Sequence, residues 1–171
     1  MPKPKIAKDK YFNAILYFLN KQIKYPTKTK LFKLLYYLDF DYFERYDKAV
    51  TNDKYKKMQF GPVPITADSI LSMMQKKGLI TTRPVKYFDY PNERKEYVAI
   101  KPYNPEAFTQ TELATLDDVT DRWYQHSAKQ LEDATHGEAP WIATKMDEII
   151  EYPLTYYRNN FGEMDFRKDE I

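Results

Sequence analysis

Apolar residues recur at helical spacing near the start of the chain. Between residues 8 and 23 they fall three or four positions apart, which predicts one buried stripe on a helix. The stripe consists of Phe12, Ile15, Leu16, Leu19 and Ile23. Pro26 follows the stripe and ends the helix, because proline cannot continue it. Thr27 or Thr29 is placed to cap a second helix that begins near Lys30.

The second helix, KLFKLLYYLDFDYFERY, is apolar around nearly its whole circumference. Such a helix is expected at the centre of a fold, where every face finds a partner. Asp39 and Asp41 interrupt the apolar pattern. Because acids inside helices are generally paired or solvated, we expect both to hydrogen-bond a neighbouring helix terminus or to face water. The alternative is a catalytic pair of carboxylates.

The stretch MQFGPVP restricts the backbone tightly. A short strand is predicted over residues 55–60, just before it. Each of the two prolines biases the preceding residue toward an extended conformation and removes one backbone donor. We therefore expect an extended corner, with its last proline near the first turn of the next helix. The residues of this corner are Gly61, Pro62, Val63 and Pro64.

The second half of the chain alternates strand and helix signals. Two β-rich runs flank the turn sequence DYPNE and predict a hairpin, with Pro84 placing its first strand at a sheet edge. Capping boxes at Thr109–Glu112 and Ser127–Gln130 open two further helices. A last helical face, stopped by Pro153, is predicted from Ile142, Met146, Ile149 and Ile150.

This order of elements predicts a mainly helical α+β fold. We expect a helical core, with a small three-stranded antiparallel sheet or hairpin inserted after the second or third helix. A chain of 171 residues is typical of one domain, which we place at residues 1–160. Residues 161–171 are predicted to be a polar C-terminal tail.

Composition excludes several kinds of chemistry. The chain has no cysteine, so disulfides, thiolate nucleophiles and cysteine-ligated metals are absent. Its two histidines form no metal-binding pattern, and four glycines make no phosphate-binding motif. We expect no metal and no cofactor. The net charge of +2 does not demand a polyanionic partner. Without a signal peptide or a membrane-spanning run, we expect a cytoplasmic protein that binds no membrane.

Two chemical functions remain open alternatives. Thr135, His136 and Glu138 suit an acid–base group of a hydrolase, although a histidine in such a loop is more often a structural hydrogen-bonder. The order helix, strand, helix, hairpin is also typical of a winged helix-turn-helix, in which Arg94 and Lys95 would meet DNA phosphates. Against DNA binding, the candidate recognition helix PITADSILSMMQKKG has neither arginine nor asparagine to read bases.

Several ordered segments together resemble a known family. The second helix carries Lys33, Leu34, Leu35, Tyr36, Asp39 and Phe40. The GPVP corner follows, preceded by Tyr55, Met58 and Phe60. Later come Phe108, Thr109, Glu112, Leu113, Leu116, Asp117 and Val119, and then Thr135, His136, Pro140 and Trp141. Over roughly residues 10–150 this pattern resembles the SocA-like or Panacea antitoxin family, a phage-associated domain. One departure is Asp47, where the family often has glycine, which indicates a less strained turn.

The resemblance implies an antitoxin of a type II toxin–antitoxin pair rather than an enzyme. Such proteins neutralise a neighbouring toxin by direct protein–protein binding, and the family's namesake presents its toxin to a AAA+ protease. The domain is paired with many unrelated toxins and lies in prophages. No catalytic residues are implied. The GPVP corner and Asp39 would be scaffold residues, with His136, Pro140 and Trp141 holding the C-terminal helices on the core.

A partner-binding surface is predicted from residue types that dominate protein interfaces, namely tyrosine, tryptophan and arginine. On the N-terminal helices the candidates are Tyr11, Tyr25 and Tyr37. On the hairpin tip they are Tyr87, Phe88, Tyr90 and Arg94. The alternative is that most of these side chains pack inside the domain.

Overall fold

The computed structural model describes residues 5–88 and 90–158, and the tail predicted over 161–171 lies outside them. Its α-helices are α1 (Lys8–Asn20), α2 (Lys28–Tyr46), α3 (Ala67–Lys76), α4 (Gln110–Trp123), α5 (Ala128–His136) and α6 (Ala139–Ile142). Its strands are β1 (Tyr55–Met58), β2 (Gly61–Pro64), β3 (Ile80–Val85), β4 (Arg94–Ala99) and β5 (Ile149–Ile150). Two 3₁₀ helices cover Pro105–Ala107 and Tyr152–Tyr157. The mainly helical α+β class is confirmed.

Helix α2 lies at the centre of the fold, as its apolar circumference predicts. Thr27 caps it by accepting a hydrogen bond from the backbone N–H of Lys30. α1, α4, α5, β2 and the second 3₁₀ helix all pack against it. It ends at Asp47, whose φ of 59° is left-handed, so the expected relaxed turn is wrong. Even this helix is not long and apolar enough to cross a membrane, nor is any other in the described residues.

The GPVP segment forms strand β2 of a hairpin with β1, so the expected corner is wrong. Tyr55 pairs with Pro64, and Met58 pairs with Gly61. The N–H of Ile65 donates to the carbonyl of Lys54, so the N–H groups of Ile65 and Val63 point toward the neighbouring chain. The two prolines occupy the alternate positions, whose N–H groups would point away from it. Because β2 is the edge strand of its sheet, prolines at those positions cost no ladder bond.

The third strand of this sheet is β5, where a helix was predicted. Ile149 and Ile150 pair with β1, giving the order β2-β1-β5. The only helical residue of the predicted face is Ile142, which ends α6. Asp147 has a left-handed φ of 69°, which is incompatible with a helix through this segment. Pairing with β1 therefore prevails over a helical pattern of only a few apolar residues.

Strands β3 and β4 form a separate two-stranded antiparallel sheet. Its register runs from Ile80 opposite Ala99 to Val85 opposite Arg94. The winged-helix prediction does not fit this arrangement. The segment between α2 and α3 is the β1–β2 hairpin, so α3 has no preceding helix joined by a short turn.

Asp39 and Asp41 belong to two different buried networks, so they are not a carboxylate pair. Asp39 Oδ1 accepts from the N–H groups of Val50 and Thr51, each at 2.8 Å. Its Oδ2 accepts from the hydroxyls of Thr51 at 2.5 Å and Tyr55 at 2.6 Å. Burial raises the pKa of Asp39 to about 6, although these hydrogen bonds act in the opposite direction. The carboxylate ties α2 to the chain that leads into β1.

Asp41 is part of an ion-pair cluster that joins α2 to the C-terminal half. Arg122 on α4 approaches one oxygen of Asp41 at 2.6 Å, and Arg158 approaches the other at 2.7 Å. Arg158 also reaches Glu44 at 3.3 Å and Glu138 at 3.4 Å. The expectation that Asp41 meets a helix terminus or water is wrong, because these two arginines neutralise it inside the fold.

Replacing Asp39 by alanine is expected to lower the free energy of unfolding by about 3–5 kcal/mol, because its four buried donors lose their acceptor. Tyr55→Phe removes one donor and should cost about 1 kcal/mol. Urea unfolding at pH 7 measures both.

The matched control is Asp68→Ala, which removes a carboxylate that is 71% exposed and paired with Lys28. An exposed ion pair contributes less than about 1 kcal/mol. If Asp39→Ala and Asp68→Ala shift the urea midpoint equally, the Asp39 network does not hold the fold together.

Candidate partner-binding site

The loop between β3 and β4 presents aromatic side chains on a firmly held base. Glu96 on β4 is buried, and Arg83 on β3 donates to it at 2.9 Å. The hydroxyl of Tyr87 donates to the other oxygen of Glu96. Burial and this hydrogen bond raise the pKa of Tyr87, so its hydroxyl stays protonated. Tyr87 is thereby fixed at the start of the loop.

Tyr25 lies opposite this loop, on the connection between α1 and α2. Its φ of 58° is left-handed, a strained conformation for an aromatic residue. The buried amine of Lys30 supports this connection by donating to the carbonyls of Lys24 and of Tyr124, the latter at 2.9 Å. Burial lowers the pKa of Lys30 to about 8. The ring of Tyr25 meets that of Tyr87 edge to face at 5.8 Å.

These side chains line one groove of about 550 Å³, which we call the hairpin groove. It contains five of the predicted partner-binding residues, Tyr25, Tyr87, Phe88, Tyr90 and Arg94. Its other wall is formed by Thr27, Thr29, Ser127, Ala128 and Lys129. The groove therefore joins the hairpin loop to the start of α2 and the start of α5.

The groove offers rings and a cation that are already in place. The guanidinium of Arg94 lies 4.0 Å from the ring centre of Tyr90, a cation–π contact that fixes both. Phe88 is fully exposed, at 104%, and Tyr90 is 42% exposed. Exposed aromatic and arginine side chains on an ordered surface are typical of the positions that carry binding energy. Nothing in the geometry indicates bond-making at the hairpin groove.

Two of the predicted partner-binding residues are buried, so the expectation that they are exposed is wrong. Tyr11 is fully buried, and its hydroxyl donates to Asp53 at 2.7 Å. Tyr37 is 1% exposed and packs its ring against Trp123 at 4.9 Å. Both lie on helix faces that turn toward the core, and residue type alone does not reveal that direction.

A second group of residues meets where α2, β2 and α5 converge, and we call it the motif cluster: Lys33, Gly61, Thr135, His136 and Trp141. Gly61 has a φ of 124°, and a Cβ on it would lie 3.4 Å from Cε and Nζ of Lys33. The same Cβ would lie 3.7 Å from the hydroxyl oxygen of Thr135. Lys33, Gly61 and Thr135 therefore lie close together at this point of the fold.

An aromatic stack closes the motif cluster. The rings of His136 and Trp141 are parallel within 19°, with centres 4.1 Å apart. Lys57 on β1 lies 4.4 Å from the ring centre of Trp141 and donates to its carbonyl at 2.8 Å. Pro140 is buried in the first turn of α6. These contacts connect β1, α5 and α6, while the scaffold role of His136, Pro140 and Trp141 stays a prediction.

The geometry gives no support to an acid–base pair of His136 and Glu138. Glu138 accepts from the hydroxyl of Tyr36 at 2.9 Å and pairs with Arg158. The ring of His136 instead stacks on that of Trp141. Burial lowers the pKa of His136, and the charged groups that also affect this pKa are Glu132, Lys129, Lys33 and Asp133, without Glu138. No cluster of metal-binding side chains occurs within residues 5–88 and 90–158.

Comparison with known protein families gives one match. The family model described as "Antitoxin SocA-like, Panacea domain" matches residues 31–142, which is more than half of the chain. The chain belongs to this family. The curated proteins and the solved structures yielded no match. The match spans α2 through α6 and includes every residue of the motif cluster.

Sequence reasoning overlooked the buried lysines of this Panacea domain. Lys30 and Lys33 are both buried, although lysine side chains are normally exposed. The signal was present, because a lysine within a helix that is apolar on all sides has no solvated face to occupy. The convergence of Lys33 with Gly61 and His136 was not visible, since it depends on how three elements meet in space.

Gly61→Ala in this Panacea domain is expected to lower the free energy of unfolding by about 3 kcal/mol. The backbone strain at its φ of 124° costs about 1–3 kcal/mol, and the new methyl group would contact Cε and Nζ of Lys33 at 3.4 Å. Gly78→Ala is the matched control, because its φ of 73° is also positive but no atom lies within 4 Å. It should cost about 1–2 kcal/mol.

A double-mutant cycle with Lys33→Ala isolates the steric part of the Gly61 effect. We expect Gly61→Ala to cost less in the Lys33→Ala background than in the wild type, as measured by urea unfolding. Strict additivity of the two substitutions would show that the lysine does not constrain Gly61.

Proposed function

We propose that this chain is the antitoxin of a type II toxin–antitoxin pair and neutralises its cognate toxin by direct protein–protein binding at the hairpin groove. Membership of the SocA-like antitoxin family supports a toxin as the partner in general. The observation that carries the choice of surface is the convergence of Tyr25, Tyr87, Phe88, Tyr90 and Arg94 on one groove. The family is not typically enzymatic, and binding alone is sufficient for this function.

Order within the groove supports tight binding. Tyr87 is held by Glu96, and Arg94 is held against Tyr90 before any partner arrives. Each rotamer-rich side chain that is already immobilised spares the complex about 0.5–1.5 kcal/mol of ordering cost. Phe88 can then insert into a pocket of the toxin as an apolar anchor, with Arg94 next to it.

Direct binding and delivery to a AAA+ protease differ in what happens to the toxin. An antitoxin that only binds leaves the amount of toxin unchanged, whereas a proteolytic adaptor shortens its lifetime. We propose binding as the primary step in either case, in the cytoplasm and with the toxin encoded in the neighbouring gene of the same prophage or mobile element. Immunoblotting of the toxin during co-expression separates the two modes.

The geometry favours toxin binding over regulation of DNA. A winged helix-turn-helix needs a helix joined to the recognition helix by a short turn, and a β-hairpin precedes α3 instead. Arg94, which would contact phosphate, lies against the ring of Tyr90. We therefore propose no second function.

Phe88→Ala is expected to weaken binding to the product of the adjacent gene about 30-fold, since a central aromatic anchor contributes about 2 kcal/mol. Its stability should not change, because the wild-type side chain is fully exposed. Arg94→Ala should weaken binding about tenfold or more. Isothermal titration calorimetry measures affinity, and rescue of growth on co-expression measures neutralisation.

Tyr157→Ala is the control, because Tyr157 is 51% exposed and does not line the hairpin groove. It should bind and rescue as the wild type does. Full affinity in a Phe88→Ala, Arg94→Ala double variant would move the toxin contact away from this groove. A neighbouring product that forms no complex with the wild type would contradict the function itself.

A further inference from the structure

Lys33 is a buried cation without a counter-ion. It is 4% exposed, and within residues 5–88 and 90–158 no carboxylate pairs with it and no acceptor bonds its amine. The nearest negative influence is Glu132, whose carboxylate is paired with Lys129 at 3.7 Å. A buried ammonium is costly unless something hydrogen-bonds it. Gly61 on β2 lies beside this amine, since a Cβ on it would be 3.4 Å from Nζ.

His136 carries the second unsatisfied group of the motif cluster. Its Nε2 is buried and has no hydrogen-bond partner among the described residues. Stacking on Trp141 restricts rotation of the His136 ring toward another hydrogen-bond acceptor. The hydroxyl of Thr135 donates to the carbonyl of Glu132. Burial lowers the pKa of His136, and the charge of Lys33 contributes in the same direction.

The side-chain nitrogens of Lys33 and His136 determine which kind of chemical group could bind to both. The ammonium of Lys33 offers donors only, and His136 offers a donor when Nε2 carries a proton, as it does in one neutral tautomer. A carboxylate has two oxygens and can accept from both, which forms charge-assisted hydrogen bonds in a largely dry site. Unsatisfied buried polar groups are rare in native proteins, and Nε2 of His136 is such a group in the same cluster as an unpaired lysine, which points to a ligand.

Exposed apolar side chains adjoin the residues of this cluster in the sequence, and we call them the apolar rim. Phe60 precedes Gly61 and is 62% exposed, and Ile142 follows Trp141 and is 56% exposed. Met58 and Met146 are also exposed and belong to this rim. Lys57, next to Met58, forms backbone hydrogen bonds with residues 147 and 148, and its amine donates to the carbonyl of Trp141. A free small carboxylate would gain nothing from such a rim. A protein segment that carries an acidic residue between apolar ones would cover it.

We propose that Lys33 and His136 form a binding pocket for an acidic side chain of the bound toxin, with Phe60 and Ile142 contacting the apolar residues beside it. The inference rests on the proposed function in taking the toxin as the source of the carboxylate. It adds a second contact region, because Lys33 and His136 do not line the hairpin groove.

The pocket itself is tested without any toxin, using sodium acetate as the probe. The ring protons of the two histidines are followed by ¹H NMR while acetate replaces chloride at constant ionic strength. We expect the His136 signals to shift saturably at roughly millimolar acetate, since so small a ligand binds weakly. The midpoint pH of His136 should rise, because a carboxylate stabilises its protonated form.

His126 is an internal reference in the same spectra. Its Nδ1 is also buried without a partner among the described residues, and its ring meets Trp123 edge to face. We expect no saturable response from it. In Lys33→Met, which keeps the length of the side chain, the acetate response of His136 should be lost. If Lys33→Met does not fold, the wild-type comparison of His136 with His126 still decides. Equal shifts in acetate and chloride would overturn the pocket.

The source of the carboxylate is tested with the product of the adjacent gene. Folded Lys33→Met should bind it at least about tenfold more weakly than the wild type, while Ile65→Ala, at an exposed site away from the cluster, should not. An acetate response combined with unchanged toxin affinity would overturn the assignment to the toxin. If Phe88→Ala binds normally but acetate still shifts His136, the hairpin groove fails and the pocket stands.

Discussion

Burial of helix α2 on all sides is the constraint on which the rest of the structure depends. A helix without a solvated face has to be enclosed, and α1, α4, α5, β2 and the C-terminal 3₁₀ helix together enclose it. Polar groups that the helix carries inward then need internal partners. Asp39 accepts four hydrogen bonds from β1 and the chain leading into it. Asp41 forms ion pairs with two arginines from the C-terminal half. Enclosure and polar pairing thus connect distant parts of the sequence.

This arrangement separates two surfaces of different character. The hairpin groove stands on β3 and β4, which form a sheet of their own, and its aromatic side chains project from a loop. The motif cluster lies where α2, β2 and α5 meet, and its polar atoms are buried. A loop surface can change with little effect on the core, whereas a buried cluster cannot. Membership of an antitoxin family supports a toxin as the partner in general, and both surfaces are proposed as its contacts.

Local signals predicted much of this fold correctly. The helices α1 and α2 and the two capping boxes are as expected, because each depends on residues close in sequence. Long-range pairing accounts for the errors. The GPVP segment and Ile149–Ile150 became strands because β1 lies between them, which no local pattern records. The hairpin groove was predictable in part from residue types, whereas the burial of Tyr11, Tyr37 and Lys33 depends on the direction in which each helix faces the core.

The full exposure of Phe88 has a consequence for how such a protein can diversify. Tyr87 is held by its contact with Glu96 and Tyr90 by its contact with Arg94, and the exposed side chain of Phe88 takes part in neither contact. Residue 88 can therefore be exchanged for a side chain of different size or charge without a folding penalty. Under the proposed role of the hairpin groove in toxin binding, one stable framework could acquire a new recognition preference by a single substitution, while the enclosed central helix stays the same.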